Sequence, residues 1–363
     1  MPRHACQAAL LGSPALRPGR TGGFTLLELL LVVALLGMLA LSAVALTDTA
    51  DQQSRYEQTQ ARLQQARWGV LHVQNTAGGQ VLLSGFAVDL GRLPLSLSEM
   101  VEGVDRSTGN SFPVFAAQVP LFDPEPGPDG LNNGGEIPLP GPETALLKGY
   151  RGPYVPLAPG ENAFRDAWGN ISPVPTDDAL NYGWVLQSDL RSWQLTSLGA
   201  DGLPTDPSTD PDVYRHDLST AFSPPQWMVD LAAVEVQVVN RTGEAFSIAG
   251  GRLRAALLVY QAGRWRRLTT DPANRQAAVT SLEATEPGDR TSFFGLADPA
   301  GDTWVPAGEH LLVLVEDPDQ LPFTADDTPL VLNQQSGSPR AYAARVLLVP
   351  GTVVSRLVLE LQP

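Results

Sequence analysis

The chain has 363 residues, which is enough for one or two domains. Its 39 acidic and 24 basic residues give a formal net charge of −15, and an acidic surface disfavours broad binding to nucleic acid. The single cysteine, Cys6, precedes the apolar segment described next, so no disulfide and no Cys-ligated metal is expected after it.

An apolar run begins close to the amino-terminal end. Residues 1–23 contain three Arg and no acid, and Glu28 is the one charged residue in 24–46. The run from Phe24 to Leu46 is long enough to span a bilayer, which takes about 20 apolar residues. The basic end is expected to stay cytoplasmic. In lipid, Glu28 costs roughly 2.5–3.5 kcal/mol, which is tolerated when a partner neutralises it.

The order Gly23-Phe24-Thr25-Leu26-Leu27-Glu28 resembles the class III signal of type IV pilins and pseudopilins. The resemblance implies that a prepilin peptidase cuts after Gly23 and methylates the new amino terminus at Phe24. It also implies that Glu28 pairs with the amino terminus of a neighbouring subunit in a filament. The implied partners are this peptidase, other pilin or pseudopilin subunits, an inner-membrane assembly platform, and membrane lipid before assembly.

The helix is expected to continue beyond the apolar run. An apolar stripe near helical spacing, with no proline up to Val73, includes Leu63, Ala66 and Val70. We therefore predict a leader at 1–23 and a transmembrane or filament helix at 24–79, ended by Ala77-Gly78-Gly79. A helix of about 50 residues is roughly 75 Å long.

Residues 80–225 are rich in Pro, Gly, Asp and Asn and are predicted to form a small head. Short strands are expected at Tyr182–Gln187 and Ser192–Ser197. The loop 123–136 offers a weak cation candidate in Asp129, Asn132 and Glu136, although a surface insertion is the favoured interpretation because the spacing does not match an EF-hand.

Two motifs in this head resemble the major pseudopilin of type II secretion systems. They are Asp166-Ala167-Trp168-Gly169-Asn170 and Ser197-Leu198-Gly199-Ala200-Asp201-Gly202. With the N-terminal signal, the resemblance covers roughly residues 23–79 and 160–213. It implies a Ca²⁺ site in the loop that follows the second motif.

The calcium prediction assigns Asp201 by direct match and the backbone carbonyl of Leu198 by its counterpart in the family. Asp210 and Asp212 are chosen as further ligands from the acids that follow, because Asp-Pro repeats replace the tract and closing residues of the family. Ca²⁺ takes 6–8 oxygen ligands, which such a loop can supply. A solvated acidic turn is the alternative interpretation.

Residues 226–363 change character and alternate in the manner of strands. About seven strands are expected, which favours an antiparallel β-sandwich of transthyretin-like or immunoglobulin-like type. The phrases Val305–Leu311 and Leu348–Thr352 resemble strand entries of transthyretin-like modules. The predicted fold class is thus α+β, with a long pilin helix, a small head at 80–225 and an all-β sandwich at 226–363.

Signals for catalysis are weak, and no enzyme activity is expected. The histidines after the leader, His72, His216 and His310, lie far apart in the sequence. The basic cluster Arg264–Arg267 is interpreted as a solvated strand edge rather than a site for DNA or an anionic glycan.

The favoured function is a pseudopilin of a type II secretion-like machine. It would sit in the bacterial inner membrane by one span, with its head on the periplasmic side, before it enters a filament. A minor type IV pilin that displays the sandwich as an adhesin is one alternative. An anchored binding module that never polymerises, whose Glu28 is incidental, is the other.

Overall fold

The computed structural model describes residues 25–204, 215–241, 246–247, 253–270, 281–282, 290–319, 321, 323–332 and 340–361. They fall into two compact units, one ending at Gln52 and the other beginning at Gln53. A long N-terminal helix is followed by a mostly β region built from small, largely antiparallel sheets.

The first helix, α1, spans Leu26–Val70. No proline interrupts it, and its residues are exposed as far as Asp51. Within the second unit it buries one face, and the buried positions are spaced by three or four residues, as the sequence predicted; they are Thr59, Leu63, Ala66, Gly69 and Val70.

The helix ends at Val70, which is earlier than the predicted end at 79. The next residues form a hairpin in which β1 (His72–Asn75) pairs antiparallel with β2 (Val81–Ser84). Gly85, at φ +119°, brings the chain back across the helix end, where an added Cβ would lie 2.6 Å from the Val70 carbonyl oxygen. Apolar residues at 71 and 73 fit a helix or a strand equally well, and pairing with β2 selects the strand.

The region up to residue 222 contains short elements joined by long connections. The predicted short strands are confirmed at Val185–Ser188 and Trp193–Ser197, which form a three-stranded antiparallel sheet with Leu218–Phe222. The elements are α2 (Phe86–Leu90), α3 (Leu97–Glu102), β3 (Ala116–Gln118), β4 (Leu121–Phe122), β5 (Ile137–Pro138), a 3₁₀ helix (Pro142–Thr144), β6 (Leu146–Lys148), α4 (Pro175–Asn181), β7 (Val185–Ser188), β8 (Trp193–Ser197) and β9 (Leu218–Phe222).

The remaining elements are mainly strands. They are α5 (Pro224–Trp227), β10 (Met228–Asp230), β11 (Glu235–Asn240), β12 (Phe246–Ser247), β13 (Leu253–Gln261), β14 (Arg264–Thr270), β15 (Ser281–Leu282), β16 (Arg290–Phe294), β17 (Leu296–Ala297), β18 (Trp304–Pro306), β19 (Gly308–Glu316), β20 (Thr328–Pro329), β21 (Val331–Leu332), β22 (Arg340–Ala341), β23 (Ala343–Leu348) and β24 (Arg356–Leu361). A six-stranded sheet has the order β17-β14-β13-β19-β20, and β23 also pairs with β19.

A second sheet has the order β16-β11-β24, and one of its pairs is not antiparallel. Strand β24 runs parallel to β11, with Glu235 opposite Arg356. The expectation of a purely antiparallel arrangement is therefore wrong at this pair. The difference arises because β24 follows β23, which belongs to the six-stranded sheet, and so reaches β11 by crossing between sheets.

The central strands of the six-stranded sheet are buried on both faces. In β13, Leu257 and Val259 join one hydrophobic cluster with the β16-β11-β24 sheet, while Ala256 and Leu258 join another with α1 and the region before residue 226. Near-continuous apolar runs are typical of strands buried on both faces. The predicted domain boundary at 225/226 stays a prediction, and described residues on both sides of it share one core.

Two titratable side chains are buried between the sheet and this region. Lys148 is 2% exposed and its Nζ donates to the Val88 carbonyl at 2.9 Å. His310 is 1% exposed, and its Nε2 bonds to the Pro306 carbonyl at 2.8 Å. Burial lowers the pKa of Lys148 to about 8 and that of His310 to about 3.

Lys148 predicts a pH dependence of stability above neutrality. Between pH 8 and the ordinary Lys pKa of 10.5, the folded side chain is neutral while the unfolded one still holds its proton. The unfolded state therefore binds more protons, and the free energy of unfolding should rise with pH across this window by about 3 kcal/mol. Denaturant unfolding at pH 7 and pH 10.5 measures it, with Lys148→Met as the reference. An equal change in both proteins would contradict the prediction.

Candidate functional site

The apolar part of α1 is the most unusual surface of the chain. Its most apolar stretch has a mean hydropathy of 2.8 over 18 residues, with none of that stretch buried. Among the described residues it is the one helix long and apolar enough to cross a membrane. A membrane span and a signal sequence share this length and composition, and either one buries the segment in lipid.

Glu28 lies in the first turn of this helix. Its backbone N–H donates to the Thr25 carbonyl at 3.0 Å and approaches the Thr25 hydroxyl at 3.2 Å. An acid in the first turn interacts favourably with the helix dipole. The predicted processing residues, Gly23 and Phe24, lie outside the described residues.

The two pseudopilin-like motifs meet at the Asp166 carboxylate, which is 5% exposed. Its Oδ1 accepts the Asn170 backbone N–H at 3.1 Å, and its Oδ2 accepts the Asn170 amide at 2.8 Å. The same Oδ2 accepts the Ser197 hydroxyl at 2.6 Å. The Asn170 amide also donates to the Gly199 carbonyl at 3.0 Å. One buried acid thus joins two motifs separated by 31 positions.

An ion pair between Arg165 and Asp178 also holds the first motif in shape. Arg165 donates to both Asp178 oxygens, at 2.9 and 2.7 Å, and to the Asn170 carbonyl at 2.9 Å. This hydrogen bonding raises the pKa of Arg165 and lowers that of Asp178. Asp178 belongs to α4, a helix that the sequence analysis missed, although Pro175 and two following acids are typical of a helix start.

The motif also packs on the part of α1 that belongs to the second unit. The Thr59 hydroxyl accepts the Ala167 N–H at 3.1 Å, and Arg62 forms a 2.6 Å salt bridge with Glu161. The Arg55 guanidinium lies 5.9 Å from the centroid of the Trp168 ring. The head motif and the helix are therefore connected by polar as well as apolar contacts.

The predicted calcium ligands begin immediately after this network. Leu198 follows β8 and is half-buried. Asp201 is exposed, and its Oδ1 accepts the Leu203 N–H at 2.9 Å, which is an ordinary turn bond. Asp210 and Asp212 lie outside the described residues. The structure thus positions the first two predicted ligands on a turn that Asp166 holds through Ser197.

The predicted solvated edge at Arg264–Arg267 is wrong for two of its residues. Arg266 is 6% exposed and pairs with Asp298 at 2.6 Å, and Arg267 is fully buried and pairs with Asp327 at 2.7 Å. They are buried because a distant loop, residues 123–136, packs against this strand. No local pattern in the sequence reveals that packing.

The same contacts explain the loop that was a weak cation candidate. The Asp129 carbonyl accepts from Arg266, the Asn132 carbonyl accepts from Arg264, and the Gly130 carbonyl accepts the Arg267 N–H at 2.8 Å. The loop contributes backbone oxygens to a basic strand, while Glu136 is exposed. This supports the interpretation of the loop as an insertion and not as a cation site.

Comparisons with known proteins assign no family to this chain. No family model matches, no curated protein matches, and no solved structure matches. The resemblance to pseudopilins therefore depends on the sequence motifs and on the contacts between them.

Asp166 carries a prediction of stability. Asp166→Asn keeps the side-chain shape but replaces one accepting oxygen by an amide NH2 group and makes the remaining oxygen a weaker acceptor. The free energy of unfolding should therefore fall by about 2–3 kcal/mol. Denaturant unfolding measures the change, and Asp177→Asn, an exposed acid of α4, should stay within about 0.5 kcal/mol of the parent. In a double-mutant cycle, Ser197→Ala should couple to Asp166→Asn. Strictly additive effects would show that the two motifs are not joined energetically.

Proposed function

We propose that the chain is a prepilin-type pseudopilin subunit of a type II secretion-like apparatus. In this proposal it is cut after Gly23 and assembles into a periplasmic or surface filament. The observation that carries the proposal is the position of Glu28, the one charged residue in the exposed apolar part of α1 that ends at Leu46.

The exposed surface of this helix requires a cover. Contiguous apolar patches of this extent mark interaction or membrane surfaces. Lipid covers the apolar side chains but leaves Glu28 at a cost of roughly 2.5–3.5 kcal/mol. Packing among copies of the helix also covers them, and it can bring a neighbouring amino terminus to Glu28, so that two desolvated charges neutralise each other. The second arrangement accounts for both features.

Processing and location follow from the same proposal. A prepilin peptidase removes residues 1–23 and methylates Phe24, and an inner-membrane assembly platform and other pseudopilins are the partners. The subunit waits in the bacterial inner membrane by a single span, with its head on the periplasmic side. The excess of Arg and the lack of acids before Gly23 support this orientation.

The head supports the pseudopilin assignment over a simple anchor. The Asp166 network makes the two family-like motifs one structural unit and fixes the start of the loop that follows Gly202. We propose that this loop binds Ca²⁺ through the Leu198 carbonyl, Asp201, Asp210 and Asp212. Carboxylate and carbonyl oxygens are the ligands that Ca²⁺ prefers.

The C-terminal sheets extend the proposal to the rest of the chain. We propose that the six-stranded sheet and the β16-β11-β24 sheet form the two layers of a β-sandwich. Their shared cluster supports it, with β11 and β24 contributing from one sheet and β13 and β19 from the other. Display of such a module on a minor type IV pilin is the alternative role.

Glu28→Ala tests filament membership. We expect the variant to insert in membranes as the parent does, because an apolar helix remains, but to lose association with other copies in cells that contain the assembly apparatus. Co-isolation of differently tagged copies measures the association. Intact mass of the parent should correspond to a chain that begins at methylated Phe24.

Glu57→Gln is the matched control for this experiment. It removes an exposed acid from the same helix beyond the apolar run, where the side chain accepts from Gln53 at 2.9 Å, and should leave assembly intact. If Glu28→Ala copies still associate as the parent does, the assigned role of Glu28 in assembly is wrong. If copies of the parent do not associate at all, the anchored-module alternative replaces the filament proposal.

The calcium proposal predicts a change in thermal stability. The melting midpoint of the chain should rise with millimolar Ca²⁺ and return with chelator, since a ligand that binds the folded state stabilises it. Asp201→Asn should reduce this response at the loop. Asp319 belongs to a separate group of acids between β19 and β20, so the Asp319→Asn background isolates the response of the Asp201 loop. An unchanged midpoint in that background would contradict the loop site.

A further inference from the structure

The loop between β19 and β20 brings three acids together at one point. One carboxylate oxygen from each of Asp317, Asp319 and Asp327 lies within 4.8 Å of the others. Asp317 and Asp327 are fully buried, and Asp319 is exposed. Three carboxylates at this separation repel one another strongly unless positive charge lies among them.

Two buried arginines supply part of that charge. Arg254 donates its Nε to Asp317 Oδ2 at 2.7 Å, and Arg267 donates its Nη2 to Asp327 Oδ2 at 2.7 Å. A fourth acid, Asp123, is 1% exposed and acts electrostatically on Arg267. Two guanidinium groups therefore face three clustered carboxylates and one nearby acid, so the acidic groups outnumber the buried cations. Uncompensated buried charge is costly, and one divalent cation balances it.

An unpaired carboxylate oxygen in the cluster also indicates a cation. Asp327 Oδ1 belongs to a fully buried side chain, and none of the described residues donates a hydrogen bond to it. The Thr324 hydroxyl oxygen is also buried and interacts with the Asp319 carboxylate. Nη1 and Nη2 of Arg254 lack partners too, but they are donors that need an acceptor. The unpaired Asp327 oxygen, and not these donors, indicates a cation.

We propose that Asp317, Asp319 and Asp327 bind one divalent cation of the calcium class, with the Thr324 hydroxyl as a further ligand. All of these ligands are oxygens, which favours Ca²⁺ over Zn²⁺. Exposed Asp319 gives the ion a route from solvent. The site is separate from the Asp201 loop and does not depend on filament assembly.

The cation would connect the loop to the centre of the sheet. Asp317 pairs with Arg254 on β13, and Asp327 pairs with Arg267 on β14. Arg267 also donates to the Pro124 carbonyl at 2.8 Å, so the same cluster reaches the loop 123–136. Binding at this point therefore stabilises contacts between three segments that are distant in the sequence.

Calcium titration of the full chain tests the site. The protein, purified in detergent and freed of cations with a chelator, is titrated with CaCl₂ by calorimetry. Asp319→Asn should weaken one binding event at least tenfold, and Thr324→Val should weaken it less. Asp326→Asn, which removes an exposed neighbouring acid, should leave it unchanged. Equal melting midpoints in chelator show that the variants are folded.

Asp201→Asn separates this site from the loop proposed above. If the binding event persists in Asp201→Asn and weakens in Asp319→Asn, the acidic cluster is the site. If Ca²⁺ binding by Asp319→Asn and by Thr324→Val equals that of the parent, or if the parent binds no Ca²⁺, the inference is overturned. Neither result decides whether the chain assembles through Glu28, so the two proposals fail independently.

Discussion

Burial of both faces of the six-stranded sheet is the constraint on which the structure of the second unit depends. Strands β13 and β19 direct alternate side chains into two hydrophobic clusters. One cluster is shared with α1 and the head, and the other is shared with the β16-β11-β24 sheet. A strand in this position has no solvated face, so it reads as a nearly continuous apolar run, as Leu253–Tyr260 does. Leu63, Ala66 and Val70 of α1 belong to the first cluster, and the smaller sheet contributes to the second. Because each fully buried aliphatic side chain contributes roughly 1.5–3 kcal/mol, these central strands dominate the stability of the unit.

The same constraint determines where the charged residues of the sheet find partners. Arg254 and Arg267 lie on central strands, where an unpaired guanidinium is prohibitively costly, and each has an aspartate at 2.7 Å. Removal of one member of such a pair typically costs about 3–5 kcal/mol, so the pairs fix the loops that supply the acids. Loop 123–136 is held in the same way, through backbone oxygens that accept from Arg266 and Arg267. Long connections are thus tied to the sheet by buried arginines, in a chain whose long loops have little secondary structure of their own.

Local periodicity predicted those elements whose pattern has one interpretation. The start of α1, the buried face from Leu63 to Val70 and the strands β13 and β23 could all be derived from spacing. The hairpin at His72–Asn75 could not, because its pattern fits a helix as well and its choice depends on pairing with β2. The burial of Arg267 depends on Asp327, 60 positions away, and nothing near Arg267 signals it. Within the candidate site, the motifs were recognisable in the sequence, but the hydrogen bond from Ser197 to Asp166 that joins them required the fold.

The sheet and the apolar helix treat isolated charge in opposite ways. In the sheet, Arg254 and Arg267 are each neutralised by an aspartate of the same chain, so folding alone compensates them. Among the described residues, no hydrogen bond or ion pair neutralises the Glu28 carboxylate, and its neighbours as far as Leu46 are exposed and uncharged. Water satisfies Glu28 but not the apolar side chains, and lipid satisfies those side chains but not Glu28. In the proposed filament, parallel copies that each present a processed, positive amino terminus would satisfy both at once. The chemistry of this one acid therefore favours self-association over a solitary anchor as the state in which the helix is fully compensated.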